Sequence, residues 1–181
     1  MNSAGNATRY SAISIALHWL MLLLIVVVYA TMDLKSLFPP RSAERELMAH
    51  WHYMLGLTVF FLVWLRLLVR ILGPEPEIEP RPPAWQVLLA RLAHWSLYGL
   101  MIGLPLLGWM TLSAKGASVP FFGTDLPALV GQSEWLARGL KEVHETFAAI
   151  GYFVVGLHAA AALYHHYVRR DNTLKLMLLG G

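Results

Sequence analysis

The stretch ISIALHWLMLLLIVVVYATM, from Ile13 to Met32, holds twenty residues without one charged side chain. A run that long and that apolar leaves its backbone little choice. In hydrocarbon every N–H and C=O must find a partner within the protein, which a continuous helix provides. Twenty helical residues rise about 30 Å, the thickness of a bilayer core. Three more runs of this kind follow, at residues 51–72, 85–112 and 144–168. The segment GPEPEIEPRPP, from Gly73 to Pro83, stops the second run, and Pro105 predicts a kink in the third. No small-residue cleavage motif follows the first run, so it reads as a retained span and not a signal peptide. Residues 113–142 read as a loop with Gly, Pro and aromatic residues and room for a short surface helix. The expectation is an all-α integral membrane protein, with residues 1–181 forming a single domain built as a four-helix transmembrane bundle. Composition agrees: 57% of residues are hydrophobic and 14% charged, where a soluble domain carries about 25% charged.

The absence of cysteine removes disulfides, thiolate zinc sites and thiolate-bound iron–sulfur clusters, and leaves histidine as the main soft ligand. A net charge of +3 raises nucleic acid as a partner. The basic residues flank apolar runs and form no stripe, so the partner they indicate is the lipid bilayer surface and not nucleic acid. An even number of spans puts both termini on one side. Eight cations fall on that side (Arg9, Arg66, Arg70, Arg81, Arg91, Arg169, Arg170, Lys175) and six on the other (Lys35, Arg41, Arg45, Lys115, Arg138, Lys141). The positive-inside bias therefore places both termini in the cytoplasm.

Histidines are the polar residues that this apolar chain cannot place cheaply. His144 and His158 are fourteen positions apart in the last run. In a helix that interval rises about 21 Å and falls roughly 40° short of four full turns, so both rings share a face, one toward each side of the membrane. His52 opens the second run at the level of His144. His18 lies about 13 Å inside Arg9 and His158 about 16 Å inside Arg169, depths that agree within one turn. Two pairs result, His52 with His144 and His18 with His158. A single membrane histidine can be explained by a hydrogen bond to a neighbouring helix. Two depth-matched pairs on one face point to ligation, because intramembrane ionisable groups tend to be functional and partnered. Zinc would want further ligands at each level. Two imidazoles per site are what a six-coordinate b-type haem requires. Gly56, Gly151, Gly156 and the Ala159–Ala162 run would leave room for a flat macrocycle. His50, His94, His165 and His166 read as interfacial; His94, three positions from Arg91, is expected to lie too shallow for the His18 pair.

The segments SIALHWL, HYMLGLTVFFLVWLRLLVR and HETFAAIGYFVVGLHAAAALYHHYVRRDNTL resemble the bacterial cytochrome b561 family, over residues from about Tyr10 to Met177. The resemblance implies an inner-membrane bundle with two b haems, ligated by residues that correspond to His18, His52, His144 and His158. It also implies a superoxide:ubiquinone oxidoreductase (a superoxide oxidase) that takes electrons from periplasmic superoxide and delivers them to ubiquinone, yielding O2 and ubiquinol. Two alternatives accompany it: an electron-transfer subunit fed by a periplasmic redox protein, and a haem-free transporter or sensor whose histidines carry protons. A positive outer surface would steer superoxide, and Lys115, Arg138 and Lys141 are the candidates, provided they cluster. His165, two turns beyond His158 on roughly the same face, and His94 are the candidates for the quinone headgroup.

Overall fold

The structure, a computed structural model, describes residues 9–178. It is a mostly helical membrane bundle. Its four long helices are α1 (Ala12–Lys35), α2 (Ala43–Leu72), α3 (Ala84–Ala114) and α4 (Glu134–Tyr164), each long and apolar enough to cross a membrane. Serines start three of them: Ser11, Ser42 and Ser133 accept hydrogen bonds from the backbone N–H groups of Ser14, Arg45 and Leu136, satisfying donors that a helix start leaves free. The end at which α1 begins and α4 stops is called the terminal end below, and the other the hairpin end.

At the hairpin end, Arg45 ties the α1–α2 turn by donating to the carbonyls of Lys35 (3.1 Å) and Phe38 (3.0 Å). Between α3 and α4 a two-stranded hairpin forms, β1 (Val119–Phe121) with β2 (Thr124–Leu126). Its turn residues Phe122 and Gly123 both have positive φ, which a two-residue hairpin turn of the favoured twist demands. Val119 buries against Leu57 and Leu112 and fastens this cap to α2 and α3. α4 starts at Glu134, ten positions ahead of the apolar run. Glu134, Arg138, Lys141 and Glu142 make its first turns polar, so hydropathy does not reveal them, although Ser133 caps them well.

The apolar core joins α1, α2 and α3: Met21, Val59 and Val63 are buried among Leu24, Ile25, Val28, Leu62, Tyr98, Met101 and Ile102. α4 stays outside that core. It packs along α3, and among the described residues it makes little direct packing against α1 or α2. Of its residues only Ala137 and Gly151 are buried. A seam therefore separates α4 from the α1–α2 pair, and the histidines meet across it.

Beyond α4 the chain winds through a π-turn (His165–Arg169) into Arg170 at φ +57° and folds back. Met177 accepts a hydrogen bond from the Trp19 indole at 2.7 Å, and Asn172 clasps the α2–α3 connector through the backbone of Glu77 and Glu79.

Candidate functional site

Two imidazole pairs bridge the seam. The ring centres of His52 and His144 lie 6.1 Å apart, and those of His18 and His158 lie 6.3 Å apart. At the hairpin end the tautomers are set by chemistry. Nδ1 of His52 is 3.1 Å from the Val28 carbonyl, and Nδ1 of His144 is 2.9 Å from the Leu104 carbonyl. A carbonyl only accepts, so each Nδ1 carries the hydrogen and each Nε2 keeps its lone pair. That is the arrangement found around metal-binding histidines, whose second ring nitrogen is held by a carbonyl or carboxylate. Leu104 precedes Pro105, which α3 accommodates within its run. Glycines keep the flanks clear: a methyl group built on Gly56 or Gly156 would meet no protein atom within 4 Å. At Gly151 the opposite holds. The Tyr29 hydroxyl lies over it and donates to the Ala148 carbonyl at 2.9 Å, one of the few direct α1–α4 ties.

The terminal-end pair is built differently. Arg66 of α2 donates from Nη2 to His18 Nδ1 at 3.0 Å. The expectation that His94 is too shallow to approach this pair is wrong: its ring centre lies 5.5 Å from that of His158. Arg91 misled the depth estimate. α3 begins at Ala84, seven residues before Arg91, so His94 sits about 15 Å up its helix.

His165 is fixed by Asp171, whose carboxylate is 2.5 Å from His165 Nδ1 and whose side chain is fully buried. Burial alone would raise this carboxyl, but hydrogen bonds from His165 and Thr173 outweigh it and hold it below the usual carboxylate range. Sequence reasoning missed Asp171. The signal was present in the HHYVRRDNTL run, where a carboxylate follows two histidines at a chain reversal.

Lys115, Arg138 and Lys141, expected to matter only if they cluster, line one recess of about 560 Å³ at the hairpin end, together with Gln132, Ser133 and Glu134. Lys141 also pairs with Glu145 at 2.7 Å. Three cations against two carboxylates leave the recess net positive, with Lys115 and Arg138 free of ion pairs among the described residues.

Fold and seam together define a four-helix membrane protein that presents facing imidazoles to a flat cofactor. The chain belongs to the prokaryotic cytochrome b561 family, whose profile matches residues 9–180. It is 41% identical over 170 residues to cytochrome b561 homolog 1 of Escherichia coli (strain K12), covering 94% of this chain and 97% of that protein. A probable superoxide oxidase CybB of Yersinia pestis is 39% identical over 170 residues, covering 94% and 96%. Cytochrome b561 homolog 2 of Escherichia coli (strain K12) is 26% identical over 179 residues, covering 98% and 95%. The protein is thus a multi-pass membrane electron-transfer protein of a b-type haem family, and the haem-free proton carrier is set aside.

Proposed function

We propose that the protein is a dihaem superoxide oxidase of the bacterial inner membrane, with both termini in the cytoplasm, oxidising periplasmic superoxide and reducing ubiquinone. His52 and His144 would hold the haem near the periplasm, and His18 and His158 the one near the cytoplasm. The observation that carries this reading is the ring spacing. The facing ring centres, 6.1 and 6.3 Å apart, would leave room between each pair for an iron held by two imidazoles. His94 lies closer to His158, at 5.5 Å, leaving less room between the rings, which favours His18 as the partner. The haems, when bound, supply one-electron carriers across the membrane.

The chain supplies the rest. The recess of Lys115, Arg138 and Lys141 lies between the end of α3 and the first turns of α4, with Lys141 one turn before His144, and would draw a small anion toward that level. Two superoxide ions each lose one electron and leave as O2. Ubiquinone takes those two electrons and two protons to become ubiquinol. His165 gives its Nδ1–H to Asp171, and when its ring also carries a proton on Nε2 that N–H would donate to a quinone carbonyl. His94, beside His158, would line the other wall. The relative described as a probable superoxide oxidase supports the choice of substrate.

The experiment is a reduced-minus-oxidised spectrum of purified protein, followed by enzymatically generated superoxide with a soluble ubiquinone. Two b-type haems per chain and quinone reduction that superoxide dismutase abolishes are the expected results. Haem reduced only by an added partner protein would show the chain to be a conduit.

A further inference from the structure

α2 repeats the interval of α4. His52 and Arg66 are fourteen positions apart, as are His144 and His158, so Arg66 reaches the seam at the level of the His18 pair. Its Nη2 is bonded to His18, while its Nη1 is buried with no partner. Among the described residues no carboxylate is within ion-pair distance. Glu75 is held by Arg70 and Glu77 by Arg81. A guanidinium buried at this depth is costly until an anion joins it.

The bond to His18 is also incompatible with ligation. A guanidinium only donates, so His18 Nδ1 accepts and the ring hydrogen sits on Nε2. His52 and His144 show the reverse, with Nδ1–H given away and Nε2 open. If His18 is to bind iron through Nε2, Arg66 must let go of it. An unpaired cation with a spare donor, on a bond that has to be released, needs an acceptor that arrives with the cofactor. The anionic groups of a b haem are its propionates. We propose that Arg66 is the counter-ion of a propionate on the haem at the His18–His158 level, and through that charge raises this haem's affinity for an electron. This assignment rests on the dihaem reading above.

The test is spectroelectrochemical titration of the purified holoprotein and of Arg66→Gln and Arg66→Lys. Arg66→Gln should keep both haems and lower the electron affinity of one at least tenfold, a shift of about 59 mV for a one-electron couple, with the other unmoved. Arg66→Lys keeps the charge and should stay within about threefold of wild type. A second arm reloads wild type and Arg66→Gln with haem dimethyl ester, which lacks the carboxylates. With the carboxylates gone Arg66 loses its partner, so on the ester Arg66→Gln should no longer speed the loss of this haem to an excess of apomyoglobin, as it should at least tenfold on the native haem. A normal two-haem spectrum with unmoved potentials in Arg66→Gln overturns the assignment alone, and so does an equally faster loss of the ester, which would place the effect on His18. If Arg66→Gln loses that haem outright, the wild-type protein decides: it must release the haem of the His18–His158 level at least tenfold faster as the ester than as the native haem, and equal retention overturns the assignment. A wild-type protein without b-type bands overturns the dihaem reading as well.

Discussion

His144→Ala removes a ligand from one pair and nothing from the other. The two rings of α4 are separated by about 21 Å along the helix, beyond the roughly 7–10 Å at which substitutions cease to couple. Haem content should therefore fall from two per chain to one, not to zero. Two losses of stability are expected. The hydrogen bond to the Leu104 carbonyl, 2.9 Å long, is worth about 1 kcal/mol. A cofactor bound only by the folded state contributes far more, about 4 kcal/mol when present at roughly a thousand times its Kd. Cofactor loss dominates, so adding haem with free imidazole, a replacement for the missing ring, should recover much of the thermal stability. The assay is a pyridine haemochrome count per protein, paired with thermal unfolding with and without imidazole. His158→Ala should give the mirror result, with the surviving haem in the other environment. A His144→Ala protein that keeps two haems would refute the pairing. So would a folded variant that binds none.

Three further outcomes follow from the geometry. Neutralising Lys115, Arg138 and Lys141 together to Gln should slow superoxide-driven haem reduction several-fold at low salt and flatten its ionic-strength dependence, since steering by exposed charge is screened within about 10 Å at 0.1 M salt; stopped-flow rates at two salt concentrations check it. His165→Ala should leave haem content and haem reduction intact while quinone turnover drops about tenfold or more, and steady-state kinetics with varied quinone measure this. Asp171 has a carboxyl held low in the folded state, so its stabilising contribution is complete above the ordinary value near 3.9. It is lost only as pH falls through the lower folded value; hydrogen exchange at residues 170–178 should stay protected down to about pH 4 in wild type, whereas in Asp171→Asn it should be weaker at neutral pH already.

The encounters across the seam were legible because helical periodicity is local. Once residues 144–168 are helical, His144 and His158 share a face whatever else the fold does, and depth alone then pairs them with His52 and His18. Depth failed for His94, because the nearest cation, Arg91, lies within the helix and marks no interface. The first turns of α4 escaped because they leave the membrane: Glu134, Arg138 and Glu142 hide helicity from a hydropathy reading. Arg66 and Asp171 needed the structure. Fourteen-residue spacing from His52 would have put Arg66 on the seam, but only coordinates reveal its unpaired nitrogen. The HHYVRRDNTL run sets a carboxylate six positions after His165, but only the structure shows the chain turning back after Arg170 to join the two.

That every pair draws one ring from α4 also orders the protein's birth. A ribosome adds about 5–20 residues each second, and α1, α2 and α3 can assemble around Met21, Val59 and Val63 before α4 exists. At that stage His52 and His18 have no facing ring. Neither pair can close until the segment from Glu134 onward has been made and inserted. A chain cut short ahead of His144 could settle in the membrane as a stable three-helix remnant and still be unable to close either pair.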